Sequence, residues 1–370
     1  MLLPKKDNMK LLVITQKYDV NDSNLGAFID WWDKLSEKME KVYVLALLKL
    51  SEPTMANMKV ISMGKEKGAG IFRKIIGFYS GLFKTIGKAD AILVHMIPKY
   101  VFLAAPVAFF YRKPIYMWYT GVAANWQLKL AVLFCKKVFT AHEAAMRINT
   151  PKRIITGHGI DVDKFKAQNE KRKTDEEIII LSVGRITPSK GHDLIIKACA
   201  DLINPVRNGV SNEVKSGYSI KLKIIGGVIQ EYHQEYFEYL KRLAKDLKIN
   251  EKVEFLGPVS YGKMPEYFAD AEILINTVPF GGLDKVILEA MASGTVPLTS
   301  NNAFLSVFPG DFAAQLVFKE NNSDDLKMKL KNIFDKKLYQ NDELRNTLRN
   351  IVVKNHNLDN LINRIMKEVA

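Results

Sequence analysis

The sequence predicts an α/β protein built from two doubly wound, Rossmann-like parallel sheets. Short apolar runs of strand length alternate with helical patterns from residue 10 to residue 300. The alternation breaks at 166–175, where eight of ten side chains are charged or amides, and then restarts. A chain of 370 residues, 48% hydrophobic and 25% charged, is long enough for two cores.

The first strand reads at 10–16, an apolar run of strand length around Leu11, Leu12, Val13 and Ile14. A loop (17–25) and a helix (26–39) follow. Strands recur at 42–46, 60–63, 91–95, 115–119, 137–140 and 153–155, with helical patterns between most of them. The longest apolar run, 100–111, is too short to cross a bilayer and fits a buried helix. After the break come a strand (178–183), a helix (190–202), a strand (221–225), a helix (232–247) and a strand (253–256). A strand (271–275), a Gly-rich turn (279–282), a short helix (284–293) capped by Gly294 and a strand (296–299) complete the pattern. The turn-rich stretch 204–218 reads as a surface excursion, and the last forty residues as two helices. Ligands of open parallel sheets bind at the carboxyl ends of the strands, so both halves are expected to face a central cleft.

Charge is placed unevenly. Residues 1–160 carry 24 Lys/Arg and 11 Asp/Glu, a net +13 of the chain's +14. That asymmetry points to a polyanion or an anionic membrane surface as partner of the first half. A nucleic acid is not the expected polyanion, because no recognised nucleic-acid module is present. Residues 69–88 are basic, aromatic and amphipathic, which suits either docking on anionic headgroups or packing on the first sheet. Cys135 and Cys199 follow no metal or redox spacing and imply a reducing compartment. With no signal peptide visible, the expected location is cytoplasmic, peripheral on the inner face of the cell membrane.

Three groups of residues stand where chemistry is expected. Glu289 lies in the middle of an apolar helix, where an unpaired carboxylate is costly. Its partner is either a ligand diol, whose two hydroxyls match two carboxylate oxygens, or an internal Arg or backbone group. Gly184-Arg185 follows a buried strand and Lys190-Gly191 opens the next helix, so two cations and a helix start converge at one strand end. This arrangement suits a diphosphate. Gly226-Gly227 ends another strand, as a plain turn or as a close approach to a ligand.

These residues resemble the nucleotide-sugar site of glycosyltransferase family 4, whose members have the GT-B fold and retain anomeric configuration. The run Leu288-Glu289-Ala290-Met291-Ala292-Ser293-Gly294-Thr295-Val296-Pro297 resembles the end of the family's Glu-x7-Glu pattern. Gly281 stands where the first glutamate is usual. Val183-Gly184-Arg185 with Lys190-Gly191 is similar to the family's phosphate loop. The resemblance implies donor binding by Gly26, Gly184, Arg185, Lys190, Gly226, Gly227, Gly282, Leu283, Asp284, Lys285, Val286 and Glu289. It implies catalytic roles for Arg185, Lys190 and the strand-terminal His95. Arg185 and Lys190 would stabilise the leaving diphosphate in place of a divalent metal, so no metal and no cofactor are expected. Asp284 is the acid nearest the missing glutamate and is proposed to compensate. Gly121 or its neighbours hold the place of a histidine found in many relatives. Residues 157–161 resemble the family's interdomain segment and read as a hinge.

The implied domains are 1–165 on the acceptor side, 166–355 binding the donor, and a final helix at 356–370 crossing back to the first. The implied function is transfer of a sugar from a nucleoside-diphosphate sugar to an acceptor, lipid-linked or otherwise, in cell-envelope glycan, glycolipid or polysaccharide synthesis. Two alternatives remain open: a GT-B sugar-nucleotide epimerase, and a catalytically weak sugar-nucleotide-binding protein.

Overall fold

The computed structural model describes residues 7–121, 124–166, 177–204, 217–278 and 281–369. The polar break at 166–175 beyond Lys166, most of the 204–218 excursion and Pro279-Phe280 of the Gly-rich turn lie outside them. The chain forms two compact units, one comprising Met1–Asp161, Ser260–Gly262 and His356–Ala370, the other Val162–Val259 and Lys263–Asn355.

In chain order the first unit holds β1 (Asp7–Tyr18), α1 (Ala27–Lys38), β2 (Met39–Lys49), β3 (Met58–Ser62), α2 (Ile71–Ile86) and β4 (Ala91–His95). It continues with α3 (Pro98–Phe110), β5 (Ile115–Trp118), α4 (Trp126–Phe134), β6 (Lys137–Thr140) and β7 (Arg153–Ile155). All seven strands are parallel, in the order β3-β2-β1-β4-β5-β6-β7. Alternate residues of β1 supply the two faces, as strand geometry requires. Leu11 and Val13 enter a core with Trp31, Trp32 and Leu35 of α1, while Leu12 and Ile14 enter one built with α2, α3 and α4.

The second unit holds β8 (Ile178–Val183), α5 (His192–Ile203), β9 (Ile220–Ile225), α6 (Gln234–Asp246), β10 (Val253–Gly257) and α7 (Met264–Asp270). After these come β11 (Ile273–Asn276), α8 (Lys285–Ser293), β12 (Val296–Thr299), α9 (Gly310–Leu316), α10 (Ser323–Asp335) and α11 (Asp342–Asn355). Its five parallel strands run β10-β9-β8-β11-β12. Gly294 ends α8 in the left-handed conformation at φ 76°, the geometry its position as a helix cap demands.

The last helix, α12 (Leu358–Val369), belongs to the first unit. Leu358, Leu361, Ile362 and Ile365 are buried in the core that holds α1. Its entry is pinned by backbone bonds from Ile160 N–H to His356 O (2.7 Å) and from Leu358 N–H to Ile160 O (2.9 Å). Gly159 has φ 66°, and its carbonyl accepts from Trp31 Nε1 at 3.2 Å.

The second unit starts at Val162, four residues before the polar break read from the sequence. Arg349 of α11 explains why. Its guanidinium donates to the carbonyls of Val162 (3.0 Å), Phe165 (2.8 Å) and Ala292, and the Phe165 ring packs edge-on against Phe268. Arg349→Met keeps the stem but leaves three carbonyls without their donor. The expected loss is about 2 kcal/mol, read as a lower denaturation midpoint in urea; an unchanged midpoint would show that solvent replaces those bonds freely.

Candidate functional site

In both sheets the strand order reverses beside the first strand, at β8/β11 and at β1/β4, and open parallel sheets bind ligands at such switch points. The residues singled out from the sequence cluster at the carboxyl ends of these strands.

In the second unit, β8 runs out at Val183, and Gly184 N–H donates to Ile225 O (2.9 Å). Gly226 is required here by close approach. It has φ 149°, and a Cβ on it would lie 1.8 Å from the Gly184 carbonyl oxygen. Ile186 N–H donates to Gly227 O (3.0 Å), so the Gly226-Gly227 turn supports the backbone carrying Arg185. The side chain of Arg185 is exposed. Lys190 closes a short turn (Pro188–Lys190), and its stem lies across Gly184, 3.4 Å from where a Cβ would stand. Gly191 then enters α5 at φ 52°. The carbonyl of Lys190 accepts a bond from the Thr277 hydroxyl at the end of β11, so the two sides of the switch point are tied together.

The turn brings two cations and one carboxylate together. The Lys190 ammonium is held below its ordinary pKa, first by burial and further by the nearby Arg185 charge, with Asp284 opposing. Burial raises the Asp284 carboxyl, partly offset by Lys190 and by a hydrogen bond from Asn276. Asp284 precedes α8 as its N-cap, and its Oδ2 is buried with no hydrogen-bond partner among the described residues. Glu289 is 4% exposed. It has an ion-pair partner within its own helix, Lys285 one turn earlier, with Nζ 3.5 Å from Oε1. One internal partner is therefore a lysine, which the sequence reading did not weigh. Gly282, Leu283 and Val286 flank this turn; Gly282 O accepts from Asn301 Nδ2 (3.1 Å) and Leu283 is buried.

The sequence reading did not single out His192. Its Nε2 lies 3.2 Å from Arg185 O and its Nδ1 3.2 Å from Ser182 Oγ. A carbonyl only accepts, so Nε2 carries the proton and Nδ1 accepts from the serine. Burial pushes the pKa down to about 4, which keeps the ring neutral and the pairing intact. A histidine immediately after the Lys190-Gly191 pair was the available signal, but its partners are not adjacent in sequence.

In the first unit, His95 ends β4 as expected, yet it is 2% exposed. Its Nδ1 lies 3.1 Å from Thr15 Oγ1, and its ring sits among Phe28 (4.1 Å), Trp32 (5.3 Å) and Trp118 (5.7 Å). The structure thus places His95 in an aromatic core at the end of β4. Met96 beside it has φ 66°, an uncommon conformation for a non-glycine residue. Gly26 caps α1 without a side-chain bond, and a Cβ there would meet Asp22 O at 2.4 Å. Gly121 N–H donates to Ala145 O (2.7 Å). Asp161-Val162-Asp163 has an Asp-x-Asp spacing, but no group of three or more His, Cys, Asp or Glu suited to a metal occurs among the described residues.

Two predictions follow from this geometry. Gly226→Ala should destabilise the second unit by several kcal/mol, since both its φ and its neighbour exclude a side chain; a thermal midpoint equal to the parent's would contradict the close approach. The second concerns acid. His192 titrates near 6.5 unfolded and about 4 folded, so the unfolded state binds the proton first. Its contribution is whole above pH 6.5 and is lost as pH falls towards 4, on the order of 3 kcal/mol. His192→Gln should flatten the stability curve in that window, leaving the part due to His356, which is likewise lowered to about 4. A curve with unchanged slope in His192→Gln would refute the assignment.

The chain is similar to known proteins at three levels. The model for glycosyl transferases group 1 matches residues 163–354. A GDP-Man:Man(3)GlcNAc(2)-PP-Dol alpha-1,2-mannosyltransferase of Mus musculus is 31% identical over 134 residues, 36% of this chain and 26% of that protein. A D-inositol 3-phosphate glycosyltransferase 2 of Catenulispora acidiphila is 29% identical over 153 residues, 39% of this chain and 34% of that protein. The match therefore spans a quarter to a third of the length of these relatives. Among solved structures, Anabaena Alr3699/HepE in complex with UDP and glucose superposes with a TM-score of 0.73 at 15% identity, covering 97% of this chain and 98% of that one. Sucrose-phosphate synthase from Thermosynechococcus elongatus gives 0.68 at 14% identity, covering 97% and 98%. Both share the two-unit, parallel-sheet fold. More than half of the chain, including the Arg185–Lys190 loop and α8, matches the family model, and the protein belongs to the glycosyl transferases group 1 family.

Proposed function

We propose that this protein transfers a sugar from a nucleoside-diphosphate sugar to an acceptor, as a family 4 enzyme that retains anomeric configuration. One observation carries the reading: two cations, Arg185 and Lys190, are held within electrostatic reach of each other at the end of β8, where burial first, and the Arg185 charge after it, hold Lys190 below its ordinary pKa against the attraction of Asp284. Like charges brought together beside a helix start form a site that an anion would relieve. A diphosphate would be bound there, and charge developing on the leaving group would be stabilised by the same two side chains. No divalent metal is needed for that step, and transfer should survive a chelator. Glu289 would accept the ribose hydroxyls, with Lys285 balancing its charge when the site is empty. Solved neighbours in complex with UDP and UDP-glucose support a nucleotide-sugar donor. The first unit would hold the acceptor. Its charge, and relatives named for a dolichol-linked substrate, support a lipid-linked acceptor met at the inner face of the cell membrane.

A second reading is a sugar-nucleotide-binding protein with little turnover. It is favoured by the burial of His95 and by Gly281 and Gly121 at positions where relatives carry reactive side chains. Donor consumption with and without acceptors separates the two.

A thermal-shift panel of nucleotide sugars should find a stabilising donor, because a ligand bound only to the folded state raises its midpoint. With that donor, Arg185→Ala or Lys190→Ala should lower transfer roughly a hundredfold or more, about 3 kcal/mol of transition-state stabilisation. Near-normal transfer by the double variant would end the proposal. Binding should also weaken as pH rises through the lowered pKa of Lys190, since only the ammonium attracts phosphate. Lys190→Arg should move that alkaline limb to higher pH; a limb that stays in place would show that another group sets it. Glu289→Gln should fold normally and lose nucleoside-diphosphate affinity, whereas unchanged affinity would mark the carboxylate as structural.

A further inference from the structure

We propose that the outward faces of α2, α3 and α4 form one surface that docks the first unit on an anionic lipid bilayer. This deepens the membrane part of the reading above by naming the surface, and its test needs neither donor nor acceptor.

The three helices cover one face of the first sheet and share a core beneath them. They are neighbours: Tyr79 Oη of α2 donates to Leu103 O of α3 (3.2 Å), and the Phe102 ring of α3 stacks with Trp126 of α4 at 6.4 Å. In α2 Phe78, Leu82 and Ile86 enter that core, with two glycines on the same side. Its small residues face the sheet: a Cβ on Gly77 would meet Met63 O at 2.5 Å, and one on Gly81 would meet Leu45 Cδ1 at 2.4 Å. Other large apolar side chains of α2 point to solvent, with Phe72 79% and Ile76 67% exposed. On α3, Phe109 is 87% and Phe110 81% exposed, and on α4 Trp126 and Leu133 are about two-thirds exposed. Scattered single exposures need no explanation, but six such residues on three adjacent helices do.

Charge selects the occupant. From residue 67 to residue 142 there are eleven Lys/Arg and a single acid, Asp90. Arg73, Lys84, Lys88 and Arg112 are exposed beside the apolar side chains. A second copy would bring the same cations against these and be repelled. An anionic headgroup layer over hydrocarbon satisfies both components, with aromatic rings seated at the interface and long basic side chains reaching the phosphates. Among the described residues no helix is long and apolar enough to cross a membrane, so the contact would be one of seating on the surface.

The test uses the full chain with vesicles of phosphatidylglycerol and phosphatidylcholine, against phosphatidylcholine alone. Trp126 is the reporter, since Trp31, Trp32 and Trp118 are each 1% exposed. Anionic vesicles should sediment the protein at least tenfold more strongly than neutral ones, less so in high salt, and brominated acyl chains should quench Trp126. Phe109→Ser with Phe110→Ser should lower binding at least tenfold with the thermal midpoint unchanged. The charge reversals Arg73→Glu, Lys74→Glu, Lys84→Glu and Lys88→Glu should do the same, and they decide the matter if the serine variant misfolds. Equal binding to neutral vesicles, or Trp126 left unquenched, overturns the proposal. So does a dimer in sedimentation equilibrium that dissociates with the serine variant, which would assign the face to a second copy. Nucleotide-induced thermal shift in the same variants should persist, so failure here leaves the donor site untouched.

Discussion

The candidate donor site depends on the contact of two backbones at the ends of β8 and β9. Gly226 passes so close to the Gly184 carbonyl that a methyl group has no place between them. That contact fixes where β8 stops and how the following loop leaves the sheet. Two further ties then hold the loop: His192 Nε2 on Arg185 O, and the Thr277 hydroxyl on Lys190 O. The residues that carry charge are thus positioned through their main chains, and their side chains keep freedom to meet a ligand. Preorganised charge on a rigid backbone is what transition-state stabilisation requires, because nothing has to be rearranged as the leaving group becomes anionic.

Buried charge explains the composition around that loop. Lys190 is desolvated and faces Arg185, so its ammonium is less stable than in water. Asp284 relieves part of this but is itself desolvated and raised. Neither pairing is complete. The pair Lys285–Glu289, by contrast, balances itself within one turn of α8. A diphosphate arriving between Arg185 and Lys190 would restore the ordinary basicity of the lysine, which links donor binding to proton uptake at high pH. This is the reason a lowered lysine pKa at a cation pair says more about function than exposed lysines do.

Much of this was legible in the sequence because it follows from short-range patterns. Strand-length apolar runs, the left-handed Gly294 after α8, and glycines at strand ends are local signals with local causes. The placement of Arg185 and Lys190 at one strand end also follows from a strand, a loop and a helix in succession. What escaped the reading depends on contacts between distant residues. His192 is recognisable only once Ser182 and Arg185 O are seen on either side of its ring. His95 was read as a strand-terminal group, and it is one, but Phe28 and Trp32 of α1 and Trp118 of β5 also enclose it. One partner of Glu289 was only four residues away, at Lys285, yet periodicity alone did not say whether that lysine turns inward. The close approaches of Gly77 to Met63 and of Gly81 to Leu45 likewise join residues far apart in sequence.

The two units also differ in what relates them to other proteins. The family model begins at 163 and ends at 354, within one residue of the second unit's limits at Val162 and Asn355. It therefore matches the unit with the Arg185–Lys190 loop and α8, and not the unit that carries nearly all the net charge. A diphosphate presents the same chemistry whatever sugar it bears, so one arrangement of strand end, cations and helix start serves many donors. Acceptors share no such common group. The exposed aromatic rings of α2, α3 and α4, in a stretch holding eleven basic residues and one acid, belong to this chain's own first unit, and their physical logic must be sought there.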